Sequence, residues 1–399
     1  MAYPVGPVIY AVYVNDVLIK DFALDVELRQ CWGCHDLFFI RFERTRTDLE
    51  FATSQLWPDN APVRVVWGRR PDNIHTWYGY VNHHVVNSNA SSGSRALQIT
   101  YVLIGTSKPM NTDKSRAWGD VSATYIARKI AGEYGLRAVI SSNPWVIPYE
   151  VQSNESDFRF LNRLADKIGY RFWVSGGTLY FIDPAVVLYG APNQPVPQYR
   201  LDKRFTQLDS IRDFEMYEGG NIPGRVVANR SIFSFDATSG NIQQIQANTP
   251  LTSPGAPIPD INYILSEWPA ESVTEAMNLV NAWQQRNQYW QTACAELYGN
   301  AYLYPGKLVN LQGMQMPPNG SGFWIVASAS HILKASGTDL TSSDKYVTQV
   351  HLLKNSTQQS PNLKSIVKIT PEFTTCILNS SNAWISQQAT VLTDGVLTP

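Results

Sequence analysis

The sharpest candidate for chemistry in this sequence is Cys31-Trp32-Gly33-Cys34-His35. Two cysteines at this spacing, followed at once by histidine, match a covalent haem attachment site, where both thiols bond the porphyrin and the imidazole ligates iron. A five-residue pattern is a weak filter. Attachment of this kind needs export, and a helix usually follows it, whereas Asp36–Arg44 alternates as a strand. Zinc needs four ligands, and no second close pair accompanies this one. The favoured reading is structural: a bend between two strands that holds small buried thiols.

The other candidates resolve the same way. His83 and His84 alternate across a strand, so they face opposite ways and are poorly placed to share a metal. They are expected as a satisfied pair in a β wall. Glu155, Asp157 and Asp166 sit on an amphipathic helix, where acidic groups serve as caps or a solvated face more often than as an acid/base pair. Glu43, Asp48 and Glu50 read as ordinary strand or turn charges. There is no GxSxG, HExxH, Walker loop or EF-hand spacing. Trp57, Trp67, Trp77, Trp145, Trp268 and Trp290 are scattered, as packing and subunit interfaces require, not grouped for sugar binding. No catalytic, cofactor-binding or metal-ligating residue is therefore assigned, no cofactor is expected, and the chain is expected not to be an enzyme.

The elements that would position any such residue are mainly strands. Hydrophobic residues make up 44% of the 399 and charged residues 16%, with 12 Trp, 20 Tyr and 15 Phe. Aromatics favour strands and interface cores, and the length allows two or three domains. A net charge of −1 gives no electrostatic footprint for gripping nucleic acid. No apolar run is long enough to span a membrane as a helix. The N-terminus MAYPVGPVIY lacks the features of a signal peptide, so the chain is expected to stay in the cytoplasm until assembly or lysis. Cys31, Cys34, Cys294 and Cys376 are too few for a disulfide scaffold.

Residues 1–109 alternate with period two, predicting strands at Val8–Val14, Phe22–Arg29, Asp36–Arg44, Val63–Gly68, Thr76–Val86 and Arg95–Ile104. Residues 110–190 hold two capped helices. The first starts at Ser122 and stops at Gly135. The second starts at Asn154, with Asp157 at the third position, and stops at Gly169. A hairpin turning at Ser175-Gly176-Gly177-Thr178 follows. Residues 191–206 read as a proline-rich linker. Strands resume at Leu208–Glu218 and Arg225–Phe235, a long polar loop covers 236–270, and a helix boxed by Ser272 and Glu275 covers 272–289. Further strands are predicted at Gln291–Tyr298, Lys307–Gln312, Phe323–Leu333 and Lys345–Leu353. Residues 356–399 read as an extended segment for docking, with no core of its own. The layout of Pro62–Ile104 is echoed faintly by Pro305–Leu353 in order and spacing, although not in residue identity.

The run Trp118–Leu136, then Glu155-Ser-Asp-Phe158 leading into Phe160–Tyr170, then the hairpin Phe172–Phe181, resembles the baseplate or tail-tip hubs of tailed phages. This is the late control protein D-like family, related to the hub part of type VI secretion spike proteins. The resemblance is most specific over residues 117–183, weaker over 208–235 and 290–354, and only topological over 1–109. It implies a mainly β fold with an α+β insertion: two tube-like β-barrels, 1–109 and 191–355, flanking a small α/β domain, 110–190. It implies a homotrimeric virion protein of the phage tail, assembled in the host cytoplasm. Its partners would be the hexameric tail tube or distal tail protein ring and a central spike, fibre or other tail-tip proteins. Six barrels would form a pseudo-hexameric ring with a lumen for DNA passage, and DNA in transit needs no basic stripe. The chain lacks the Gly-punctuated β-repeats and appended hydrolase of the family's spike fusions. The alternatives are the hub of a phage-derived injection or secretion apparatus, a tail-associated cell-wall hydrolase, and a host-binding adhesin using the aromatics or the 356–399 segment.

Overall fold

The computed structural model describes residues 8–19, 25–44, 57–69, 73–88, 97–189, 196–202, 209–218, 227–236, 241–247, 258–270, 272–286, 288–334, 346–355, 365–368, 375–387, 391–393 and 396–398. Asp48 and Glu50, and the turn after Ser88, lie outside them.

The first part of the chain is a run of strands: β1 (Val8–Val14), β2 (Val17–Ile19), β3 (Asp25–Cys31), β4 (Leu37–Arg44), β5 (Pro62–Arg69), β6 (Asn73–Ser88) and β7 (Leu97–Gly105). The alternation seen in the sequence is the alternation of burial. Val26 and Leu28 on β3, and Phe38, Ile40 and Phe42 on β4, point into a core with Trp57, Trp67, Trp77 and Tyr101.

The middle part holds β8 (Asp113–Ser122), α1 (Ala123–Glu133), β9 (Arg137–Ile140), β10 (Val146–Ser156), α2 (Asp157–Ile168), β11 (Arg171–Ser175), β12 (Thr178–Ile182) and β13 (Val186–Tyr189). Ser122 caps α1 by accepting the Tyr125 amide at 3.2 Å. Ile126, Ala127, Ile130 and Ala131 bury one face against Leu161, Leu164 and Phe181. The cap of α2 is Ser156, not Asn154, and it accepts the Arg159 amide at 3.3 Å. Asn154 instead takes φ 46 at a bulge where β10 pairs with β8, which moves the helix start by two residues. Gly169 ends α2 with φ 80, and a Cβ there would lie 2.5 Å from the Ala282 carbonyl oxygen. Only glycine permits both that conformation and that approach.

The last part holds β14 (Gln198–Arg200), β15 (Ile211–Glu218), β16 (Val227–Asp236), β17 (Asn241–Ala247), β18 (Ile258–Ala270), α3 (Val273–Arg286), β19 (Gln291–Tyr298), β20 (Leu308–Gln312), β21 (Gly322–Lys334), β22 (Tyr346–Lys354), β23 (Ser365–Lys368), β24 (Cys376–Leu378), β25 (Trp384–Ser386), β26 (Val391–Thr393) and β27 (Val396–Thr398). The polar stretch expected as a loop over 236–270 contains β17 and β18, which flank β16 in a three-stranded sheet. Polar residues such as Gln243, Gln244 and Gln246 hid the strand, which is carried by backbone pairing. The helix expected to run to residue 289 is described as far as Arg286. The final segment docks on its own chain. β26 joins β9 in the sheet of the middle part, and the Trp384 indole, itself buried, donates to the Gly79 carbonyl at 2.8 Å.

The central sheet has 13 strands, running β15-β19-β22-β21-β3-β4-β7-β6-β5-β1-β2, with β20 and β14 branching from β21. Among the described residues it is open at β15 and β2, and strand pairing closes no barrel. Two of its portions share one layout. β3-β4-β7-β6-β5 and β15-β19-β22-β21-β20 follow the same order, and every neighbouring pair is antiparallel. Each carries a bulge in its long strand, at Val81/His83 in β6 and at Val326/Ser328 in β21. The portions fuse where β21 pairs with β3, from Ser328 opposite Cys31 to Lys334 opposite Asp25.

The β11–β12 hairpin turns through Gly176 at φ 54 and Gly177 at φ 75. Valine is strained in that region, so Gly177→Val should lower the stability of the protein by about 1 kcal/mol or more in urea unfolding. An unchanged midpoint would contradict this account of the turn.

Candidate functional site

The turn between β3 and β4 is where the three parts of the chain meet. Gly33, at φ 71, points its amide at the Phe172 carbonyl of β11, 2.7 Å away. Trp32 packs against Trp173, with ring centroids 6.3 Å apart, and also against the cluster of Tyr289, Leu308 and Ile325 from the last part. The Arg171 guanidinium lies 5.1 Å from the centre of the Trp32 ring. His35 stacks on Phe158 of α2 at 3.7 Å, and its Nδ1 sits 2.6 Å from the Ser107 hydroxyl. Asp36 is buried and accepts from Ser175 Oγ at 2.6 Å and Gln30 Nε2 at 3.0 Å. Burial pushes its carboxyl up to about 7, against the pull of those hydrogen bonds.

The His35 imidazole, the iron ligand in the haem reading of Cys31–His35, stacks on Phe158 and is also bonded toward Asn111. Burial holds it down at about 4. The bend is as expected, but the thiols are not both buried: Cys34 is exposed and Cys31 half-buried. The Cys31 thiol donates to Cys34 and holds the Cys34 pKa down at about 7. Among the described residues, no three His, Cys, Asp or Glu side chains gather as a metal site.

The acidic residues of the second helix do more than cap or face solvent. Asp157 is fully buried at the start of α2. It accepts from Lys114 at 2.7 Å, Tyr134 at 2.6 Å, Gln152 at 2.9 Å and, in a short contact, Arg116. Burial alone would raise its pKa, but these donors outweigh it and hold the carboxyl below the ordinary carboxylate range. Arg116 also grips Glu133 at 2.8 Å, so one cluster fastens β8, β10, α1 and α2. Buried Glu150 pairs with Arg163 at 2.6 Å and Lys167 at 2.9 Å, and Lys167 reaches Glu275 of α3 at 3.8 Å. Asp166 pairs with Arg286 at 3.3 Å.

The seam between the β portions is aromatic. Trp67 packs edge-on against His331 at 4.6 Å and Tyr346 at 5.9 Å, and Arg69 lies 4.6 Å from the Tyr298 ring centre. Burial drives the His331 imidazole down to about 3, so it is neutral. Its Nε2–H donates to the Leu303 carbonyl at 2.7 Å, leaving Nδ1 to accept from Thr348 at 3.1 Å. His83 and His84, expected in a β wall, are both exposed, because β6 runs on beyond its bulge. Trp57, Trp67, Trp77 and Trp290 are buried packing residues and Trp145 is half-buried, while the side chain of Trp268 lies outside the described residues. The side chain of Glu43 also lies outside them.

Sequence reasoning missed the partners of these groups. Lys114 and Arg116 sit on β8, which carries too few apolar residues to announce a strand. Asp36, Ser175 and Gln30 lie far apart in sequence, and nothing local pairs them. Together the three assemblies join segments from all three parts of the chain.

Residues 38–337 match the model of the phage tail baseplate hub (GPD) family. The fold is similar to that of a tail protein from Neisseria meningitidis, at 12% identity and a TM-score of 0.59, over 88% of this chain and 98% of that one. It is similar to the 43 kDa tail protein of prophage MuSo2 from Shewanella oneidensis, at 10% identity and 0.59, over 87% and 98%. It is also similar to a type VI secretion component from E. coli that itself resembles phage T4 tail proteins, at 10% and 0.52, over 89% and 81%. No curated protein matches by sequence.

Asp157→Asn should cost about 2–4 kcal/mol at neutral pH, because Lys114 and Arg116 lose their buried counter-charge. The folded carboxyl titrates lower than an unfolded one, so its contribution is complete above about pH 4 to 5 and is lost as pH falls toward the folded value. The wild type should therefore lose stability with acid in urea titrations more steeply than the variant. Alkylation followed by mass spectrometry tests the thiols. At pH 7, Cys34 should react about tenfold faster than Cys294, whose thiol is pushed up by burial.

Proposed function

The chain belongs to the phage tail baseplate hub family, and on that premise we propose that it is a homotrimeric hub joining the hexameric tail tube to the threefold tip. The observation that carries this reading is the repeated strand order within one chain. Each portion is one tube-like unit, so three chains offer six units to a sixfold partner while keeping threefold symmetry for the tip. The α1–α2 domain and the Cys31–Asp36 turn fix the angle between the two units of a chain. The units close into barrels within the ring, and the ring surrounds a lumen through which DNA passes. Baseplate hubs are tail structural components, so the chain is a virion protein. Its assembly takes place in the host cytoplasm, and its role is mechanical, not catalytic.

A second reading, the hub of a phage-derived secretion apparatus, is favoured by the likeness to the E. coli type VI secretion component. Both readings place the chain in a threefold ring. Light scattering on the purified full-length chain at micromolar concentration should give a mass of three chains. A monomer persisting at high concentration would contradict the proposal.

A further inference from the structure

Within the chain, the edge of β21 opposite β22 is shared. It pairs with β20 over Gly322–Ile325, and beyond the bulge it pairs with β3 over Ser328–Lys334. The corresponding edge of β6, opposite β7, pairs with β5 only as far as Tyr80. Beyond its own bulge, His83–Ser88 bond to β7 on one side and to no described strand on the other. In the second portion the place of β3 is taken by β15, which among the described residues ends the sheet and pairs with no strand but β19. Among the described residues the chain thus shows one filled seam, β21 with β3, and two unfilled halves of an equivalent one.

We propose that the β6 edge of one copy pairs antiparallel with β15 of the next copy, repeating between chains the seam that β21 and β3 make within one. This rests on the trimeric reading and gives that reading an interface.

The observed registers fix which residues meet. Glu27, Phe39, Val102 and His83 lie in one row across the first portion. Glu215, Cys294, His351 and Ser328 lie in the matching row of the second. Since Ser330 faces Arg29 and His331 faces Leu28 within the chain, the same offset sets Val85 against Tyr217, Val86 against Met216 and Asn87 against Glu215. These strands carry exposed apolar side chains that a lone chain leaves in water: Val85 and Val86 are each 42% exposed and Tyr217 is 52% exposed. An aromatic facing a β-branched residue is a favourable cross-strand pair. Open edges of this kind are what a second copy would cover.

A cysteine pair tests both the interface and its register. Val85→Cys combined with Tyr217→Cys should, under mild oxidation, give covalent species ending at three chains on a non-reducing gel. Val86→Cys with Tyr217→Cys puts the thiols on opposite faces, and it and each single variant should give at least tenfold less product. All these positions are exposed or at a sheet edge, so circular dichroism should match the wild type. If the chain is trimeric by light scattering but the first pair does not cross-link, or the two pairs cross-link equally, this interface is wrong and the trimer stands. If the chain is monomeric, both fail.

Discussion

Along β21 a single strand edge pairs first with β20 and then, past the bulge at Val326/Ser328, with β3. The bulge changes the local twist, so two partners share the edge without meeting. Because β3 belongs to the first portion, the two cores cannot separate without breaking this ladder. Trp67, His331 and Tyr346 then fill the space that the ladder encloses, with the His331 imidazole neutral and the buried Arg69 guanidinium set against the Tyr298 and Tyr346 rings.

The seam also places the Cys31–Asp36 turn. Cys31 is the last paired residue of β3, opposite Ser328, so the turn emerges at the corner where the middle part docks. From there Trp32, Gly33 and Asp36 contact β11, through Trp173, Phe172 and Ser175, while His35 stacks on Phe158 of α2. The Asp157 cluster holds the middle part itself rigid, and Lys167–Glu275 and Asp166–Arg286 tie it to α3. The middle part is thus held from both sides, as a spacer between two β units must be.

Much of this was legible in the sequence, and the division has a physical cause. Strands with one buried face, such as β3, β4 and β19, alternate visibly because burial imposes period two. Helix α1 announced itself through Ser122 and Gly135, where capping chemistry is local. What stayed hidden depends on pairing between distant segments. β17 is polar, β8 carries few apolar residues, and the burial of Asp157 comes from strands and helices that carry its donors. The shift of the second helix cap from Asn154 to Ser156 follows from a bulge that only the β8–β10 ladder creates. The echo between Pro62–Ile104 and Pro305–Leu353 showed in spacing alone, since a repeated backbone layout does not require repeated side chains.

The central claim is that one chain supplies two equivalent β units to a ring. A cryo-electron microscopy reconstruction of the assembled full-length chain tests it most directly. The account predicts six similar β units at one radius around a threefold axis, alternating between the β3–β7 and β15–β22 portions. A reconstruction with the two portions at different radii, or with no closed ring, would contradict it.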